Sequence, residues 1–299
     1  MANRTAPSVI HQPHLRKGLD SILGGDLGLT ANGTTSACLH CHVASDASGV
    51  GAGSTIADRG SGACTLTNDN RTSALRKGPF GVSEGEQILA PPQQSNNNFL
   101  WGGDKDITLI ANDDIVLEFI FKSKGASDTG WRKYFSCQDN TAPGDGDGIL
   151  FYHDTTAGNY RHYFYITDSA AADKYILTTL AADTYYHGLF SMNGSGTTTS
   201  DVVFMINGVD ATGTGDLTKP DDLTFPIDGG PWCWMNDESI SSSGLRTHTS
   251  PYDIGLCYSG IWIANDWLAD GAAHKLEMER IAAERFYALT GGAGQFVDR

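Results

Sequence analysis

No stretch of this chain approaches the roughly 18 consecutive apolar residues that cross a membrane as a helix, so membrane insertion is not expected. Positive charge is scarce. Lysine and arginine number 20 against 35 aspartates and glutamates, a formal net charge of −15 over 299 residues. Such a surface repels phosphate backbones and anionic lipid at long range, which disfavours nucleic-acid binding. Glutamate is scarce among the acids, standing only at positions 84, 86, 118, 238, 277, 279 and 284. Aspartate shapes turns whereas glutamate suits helix interiors, so this imbalance argues for strands and loops. Residues 1–8 lead into no apolar core of the kind an export signal needs, so assembly in a cytoplasm is expected. Cysteine is sparse for a stapled secreted domain: Cys38, Cys41, Cys64, Cys137, Cys233 and Cys257 read mostly as buried thiols.

What is present is alternation. Ile115, Leu117, Phe119 and Phe121 alternate with Val116, Glu118, Ile120 and Lys122, the period of a long half-buried strand. Further strand-like runs cover 131–137, 148–153, 160–167, 174–179, 185–192, 201–207 and 252–264, separated by clusters of Gly, Asp, Asn and Thr. Asn207-Gly208 is a strong hairpin-turn signal. Many short strands at this spacing predict a sandwich or barrel. Residues 1–35 show no clear strand and read as an N-terminal arm preceding a domain of 36–299. One helix is expected at 271–290: Asp270 can cap it, Leu276, Met278, Ile281, Phe286 and Leu289 form its apolar stripe, and Gly291-Gly292 stops it.

Several short motifs invite chemistry. Cys38-Leu39-His40-Cys41-His42 matches the c-type haem attachment pattern, and Cys and His at such spacing also ligate zinc. The same residues alternate as a first sandwich strand should, and that reading is preferred. Gly81-Val82-Ser83-Glu84-Gly85 fits a nucleophile elbow, but Pro91-Pro92 forbids the helix that must follow the serine. Glycoside hydrolysis needs two carboxylates across one bond. Glu84/Glu86, Asp237/Glu238 and Glu277/Glu279 do not supply the strand-borne arrangement, and no catalytic residue is assigned. Asp139, Asp145 and Asp147 surround a glycine-rich loop that could hold Ca²⁺, the one cofactor the sequence suggests. Trp232 and Trp234, with Tyr152, are candidates for stacking on a sugar ring, although alternating tryptophans in a strand would put one ring in and one out.

These residues resemble a family. Tyr185-Tyr186-His187-Gly188-Leu189-Phe190-Ser191 followed by Val202-Val203-Phe204-Met205-Ile206-Asn207-Gly208-Val209 looks like the central hairpin of laminin-G-like, concanavalin-type jelly rolls. Ser45-Asp46-Ala47-Ser48 with Ile56-Ala57-Asp58-Arg59-Gly60-Ser61-Gly62 is similar to the opening strand and turn of that family. Residues 254–263 resemble its last core strand, and 279–287 the closing helix of versions found in bacteriophage proteins. The resemblance implies an all-β, concanavalin-like sandwich of antiparallel strands and a non-enzymatic binding or structural module. The expected setting is the virion of a tailed bacteriophage, as a capsid decoration or tail-associated protein. Its partners would be other virion proteins, further copies of itself as a homo-oligomer through the 1–35 arm, and host-surface glycans. A free carbohydrate-binding protein is the second reading, and a polysaccharide-degrading hydrolase on the same fold the third.

Overall fold

In a computed structural model, the described residues are 29–31, 34–36, 38–49, 53–68, 76–77, 89–90, 101–109, 114–122, 131–137, 148–154, 161–167, 172–177, 180, 184–193, 202–207, 209–210, 227–234 and 255–264. They are almost entirely strand. The first seven strands are β1 (Leu29–Ala31), β2 (Thr34–Ser36), β3 (Cys38–Val43), β4 (Thr55–Ile56), β5 (Leu66–Asn68), β6 (Arg76–Lys77) and β7 (Leu89–Ala90). Next come β8 (Trp101–Leu109), β9 (Asp114–Lys122), β10 (Trp131–Ser136), β11 (Gly148–Asp154), β12 (Arg161–Thr167) and β13 (Ala172–Leu177). The last five are β14 (Tyr185–Asn193), β15 (Val202–Ile206), β16 (Val209–Asp210), β17 (Ile227–Trp234) and β18 (Gly255–Ala264). The runs of alternating residues therefore became strands within a few residues of their expected bounds. Cys38–Val43 is a strand, as its alternation indicated. Within the expected arm, β1 and β2 form a small antiparallel hairpin, and the rest of the arm lies outside the described residues. So does the helix expected at 271–290.

Two antiparallel sheets result. Sheet I runs β13-β12-β11-β10-β17-β8-β5-β4. Sheet II runs β16-β15-β14-β9-β18-β7-β6, with β3 also paired to β18. The chain is thus an all-β sandwich: Leu117, Phe119, Phe121, Phe190, Leu256 and Ile261 of sheet II share one buried cluster with Ile56, Leu66, Ile107, Ile149, Phe151, Trp232 and Trp234 of sheet I. Aromatic rings hold the sheets face to face. Phe119 lies 4.7 Å from Phe151 and 5.0 Å from Phe135, and Phe121 lies 4.8 Å from Tyr134, ring centre to ring centre. Edge and tilted pairs at these separations add about 0.5–1.5 kcal/mol each beyond the area they bury.

Glycine makes room for this core. Gly188 on β14 sits opposite Phe119 on β9, and a β-carbon there would fall on the Phe119 ring. Gly188→Ala is expected to cost about 2 kcal/mol through overpacking, read as a lowered melting temperature. At the β15–β16 turn Asn207 takes φ 49°, the left-handed conformation a two-residue hairpin requires. Its side-chain oxygen accepts the His187 N–H at 2.8 Å while its own N–H donates to the His187 carbonyl.

One expectation needs correction. Strand β9 is not half-buried. Val116, Glu118, Ile120 and Lys122, on the face away from the core, are as buried as Leu117, Phe119 and Phe121. Leu189 and Met205 on the same face are also buried, as are Tyr258 and Trp262. Among the described residues, the centre of sheet II around β9, β14 and β18 is therefore enclosed on both sides, which alternation in the sequence could not reveal, because Glu118 and Lys122 look like solvent-facing residues.

Candidate functional site

The described polar chemistry collects in two buried places. The first is where loop 57–65 straps the free edge of β3. Backbone N–H groups of Arg59, Ser61 and Gly62 donate to the carbonyls of Cys41, Cys38 and Leu39, which closes an edge that would otherwise invite strand pairing. Asp58 is the hub of that strap. Its Oδ1 accepts from the Cys41 and Gly60 N–H groups at 2.8 and 2.7 Å. Its Oδ2 accepts from His40 Nδ1–H at 2.7 Å and from the Cys64 N–H at 2.8 Å. Burial by itself would raise the Asp58 pKa, but the His40 hydrogen bond, then the Cys41 N–H, His42 and the Cys64 N–H, outweigh it and hold it at about 2. Beside the hub, Arg59 grips Asp46 with a two-pronged contact, Nε to Oδ2 and a second nitrogen to Oδ1 at 2.7 Å.

His42 lies one layer deeper. It is fully buried, and that burial lowers its pKa, so the ring is neutral. Its Nε2–H donates to the Cys64 carbonyl at 2.6 Å, and its edge meets Trp234 at 6.2 Å and 78°. Next to it on β18, Ser259 accepts both indole N–H groups, Trp232 at 3.0 Å and Trp234 at 2.7 Å. One hydroxyl of sheet II thus fastens two tryptophans of sheet I across the core.

The second place is the enclosed outer face of sheet II. His187 Nε2 and Glu118 Oε1 lie 3.0 Å apart, with side chains 2% and 0% exposed. Lys122 stands 5.4 Å from the centre of the Tyr185 ring on the same face. Gly260, paired with Glu118, leaves room for Tyr258 and Trp262 to lie over it. A buried carboxylate needs such partners, since an isolated charge there would cost several kcal/mol. Both histidine–carboxylate pairs order their surroundings. Among the described residues, no group of three or more His, Cys, Asp or Glu side chains is arranged to hold a metal ion.

The residues singled out from sequence fare differently. Trp232 and Trp234 are 1% and 0% exposed. Residues two apart on a strand share a face, so both rings enter the core, and the expectation that they stack on a sugar, or split one in and one out, is corrected. Tyr152 lies on β11, paired with Lys133 and Tyr163, and its side chain is outside the described set. Asp139, Asp145 and Asp147 lie outside the described residues, as do Ser83, Glu84 and Glu86. Asp58, His40, Glu118, His187 and Ser259 were not picked out as a site. His40 stood in the Cys38–His42 motif, and Asp58, His187 and Ser259 lay in stretches that resemble jelly-roll strands and turns, whereas Glu118 appeared only as one residue of an alternating strand.

Cys38, Cys41, Cys64, Cys137 and Cys233 are buried. Burial pushes the Cys64 thiol up to about 11 and the Cys137 thiol up to about 12. At pH 8 a thiol reagent is expected to leave both untouched in the folded protein and to label them only on unfolding, as mass spectrometry would record.

No family model and no curated protein matches the chain. Solved structures do. The chain is similar to the botulinum neurotoxin serotype D binding domain, with 8% identity, a TM-score of 0.49, and 79% of this chain covering 53% of that one. It is similar to Trypanosoma rangeli sialidase in complex with sialic acid, with 11% identity, a TM-score of 0.49, and 94% of this chain covering 38% of that one. It is similar to the potassium-bound carbohydrate recognition domain of Emp46p, with 10% identity, a TM-score of 0.41, and coverages of 66% and 88%. The chain thus spans about half of the toxin domain and well under half of the sialidase. The expectation of a non-enzymatic protein is corrected here: a sialidase stands among the matches beside binding domains.

Proposed function

We propose that this chain is a lectin-like carbohydrate-binding protein. The observation that carries the reading is its architecture, two eight-stranded antiparallel sheets packed through an aromatic core. With the two tryptophans in the core and the described residues at the centres of both sheets' outer faces buried, ligand recognition falls to the loops. The order of the residues that resemble laminin-G-like jelly rolls supports the same class. Within that class we place the chain in the virion of a tailed bacteriophage, as a capsid decoration or tail-associated protein reaching host-surface glycans. A net charge of −15 suits particles that must repel one another in solution. Residues 1–35 would be the anchor that joins copies or virion neighbours, and residues 36–299 the binding domain. Ca²⁺ at Asp139, Asp145 and Asp147 is the one bound ion this reading includes.

A glycan array probed with the full chain, with and without a chelator, tests the class. Selective retention on a subset of glycans supports it, and retention on none overturns it. Light scattering on the full chain and on a chain lacking 1–35 tests the assembly role. An oligomer that dissociates without the arm supports it, and a monomer in both cases overturns it.

A further inference from the structure

The residues described at the centre of sheet II are buried on the face turned away from sheet I, and that burial is complete within one chain. Five strands build the face, in the order β15, β14, β9, β18 and β3. On it Val116, Ile120, Leu189, Met205, Tyr258 and Trp262 stand around one carboxylate, Glu118, whose side chain is 0% exposed. The β1–β2 hairpin lies beside β18, but at three residues a strand it is too small to cover five strands spanning about 19 Å. The cover therefore comes from residues outside the described set.

Strand β18 runs through the middle of this face and ends at Ala264, so the chain that follows departs from the buried region itself. That following chain carries apolar residues at helical spacing. Met278, Ile281, Ala282 and Leu289 fall seven, four and three positions before Arg285 and four after it, which sets one arginine in the middle of an apolar stripe. Glu277, Arg280 and Glu284 fall on the opposite side. A helix of 271–290 would be about 30 Å long, enough to cross all five strands. The two surfaces also match in charge, an apolar face around one carboxylate and an apolar stripe around one guanidinium. Residues 1–28 fit less well, because Pro13 and Gly18 interrupt their apolar positions.

We infer that residues 271–290 form an amphipathic helix docked on the outer face of sheet II, with Arg285 set against Glu118. The arginine shares that carboxylate with His187, and the helix closes the face to ligands and to a second copy of the chain. A buried ion pair adds little net stability but is costly to break from one side, so this one fixes where the helix sits on the sheet.

Thermal melting of the full chain tests the pairing. Arg285→Gln and Glu118→Gln should each lower the melting temperature by about 5 °C or more, while Glu284→Gln, on the opposite side of the helix, should leave it unchanged. The double variant Arg285→Gln/Glu118→Gln should melt no lower than the less stable single variant, because the two substitutions remove one shared interaction. Shifts that simply add overturn the inference. Should these variants fail to fold, hydrogen exchange in Leu289→Ala, followed by mass spectrometry, decides. Faster exchange in β9, β14 and β18 with β11 and β12 unchanged supports the docking, and faster exchange confined to β11 and β12, or none, overturns it. Deleting residues 1–28 should leave exchange in β9, β14 and β18 as in the wild type. If that deletion speeds it and Leu289→Ala does not, the cover is the N-terminal segment and the inference fails.

Discussion

Replacing Asp58 with alanine is expected to destabilise the protein by about 3–5 kcal/mol, the range found when one partner of a buried pair is removed. Four donors converge on that carboxylate, from His40, Cys41, Gly60 and Cys64, and its side chain is 1% exposed. Its loss strands those donors together. Ala63 adds to the cost of any rearrangement, because it already holds φ 52°, a left-handed conformation unfavourable for alanine by about 1 kcal/mol. The same carboxylate has a pH signature. Its folded pKa of about 2 lies below the ordinary 3.8, so its contribution is complete above about pH 4 and disappears as pH falls through 2. Over that window the stability gap between wild type and Asp58→Asn should narrow by roughly 2 kcal/mol. Urea unfolding at several pH values between 5 and 2 measures it. A gap that stays constant would show that the carboxylate is not held by these contacts.

Ser259→Ala should cost about 2–4 kcal/mol, far more than deleting one oxygen from a surface serine. The hydroxyl is the acceptor for both Trp232 and Trp234, and each buried indole N–H left without an acceptor loses about 1–3 kcal/mol. Because the serine lies on β18 and the tryptophans on β17, the substitution weakens the bond between the sheets rather than within one. Trp fluorescence should shift as the two indoles lose their common acceptor. Chemical denaturation gives the stability change, and a loss below about 0.5 kcal/mol would show that the two indoles find other acceptors.

Much of the fold was legible because alternation of side chains is itself a backbone property. Strands β9 to β15 and β18 declared themselves by period two and by the turn residues between them. Strands β8 and β17 were harder to read. Gly102, Gly103, Asp104, Lys105 and Asp106 resemble a loop, as do Gly229, Gly230 and Pro231. The structure shows why these residues occupy strands. A β-carbon at Gly103 would meet Cys64 Sγ and the Trp232 carbonyl, and one at Gly229 would meet the carbonyls of Cys137 and Ile107. Pro231 is tolerated because the register shifts on either side of it, at the irregularities where a strand can hold proline. The buried pairs were less legible still. Glu118 and His187 stand 69 positions apart and meet only because β9 and β14 pair, which no local pattern encodes. Asp58 and His40 likewise meet through the strap across β3. The two tryptophans were read as a surface because their aromatic character was visible and the serine waiting across the core was not.

A ligand that binds only the folded state raises its stability by RT ln(1 + [L]/Kd), about 2.7 kcal/mol at a hundredfold excess over Kd. The most direct test of the lectin-like account is therefore the melting temperature of the full chain, titrated with the oligosaccharide that a glycan array selects. The account predicts a melting temperature that climbs with the logarithm of ligand concentration beyond Kd. A melting temperature unmoved by every oligosaccharide tried, at concentrations up to the millimolar range, would contradict it.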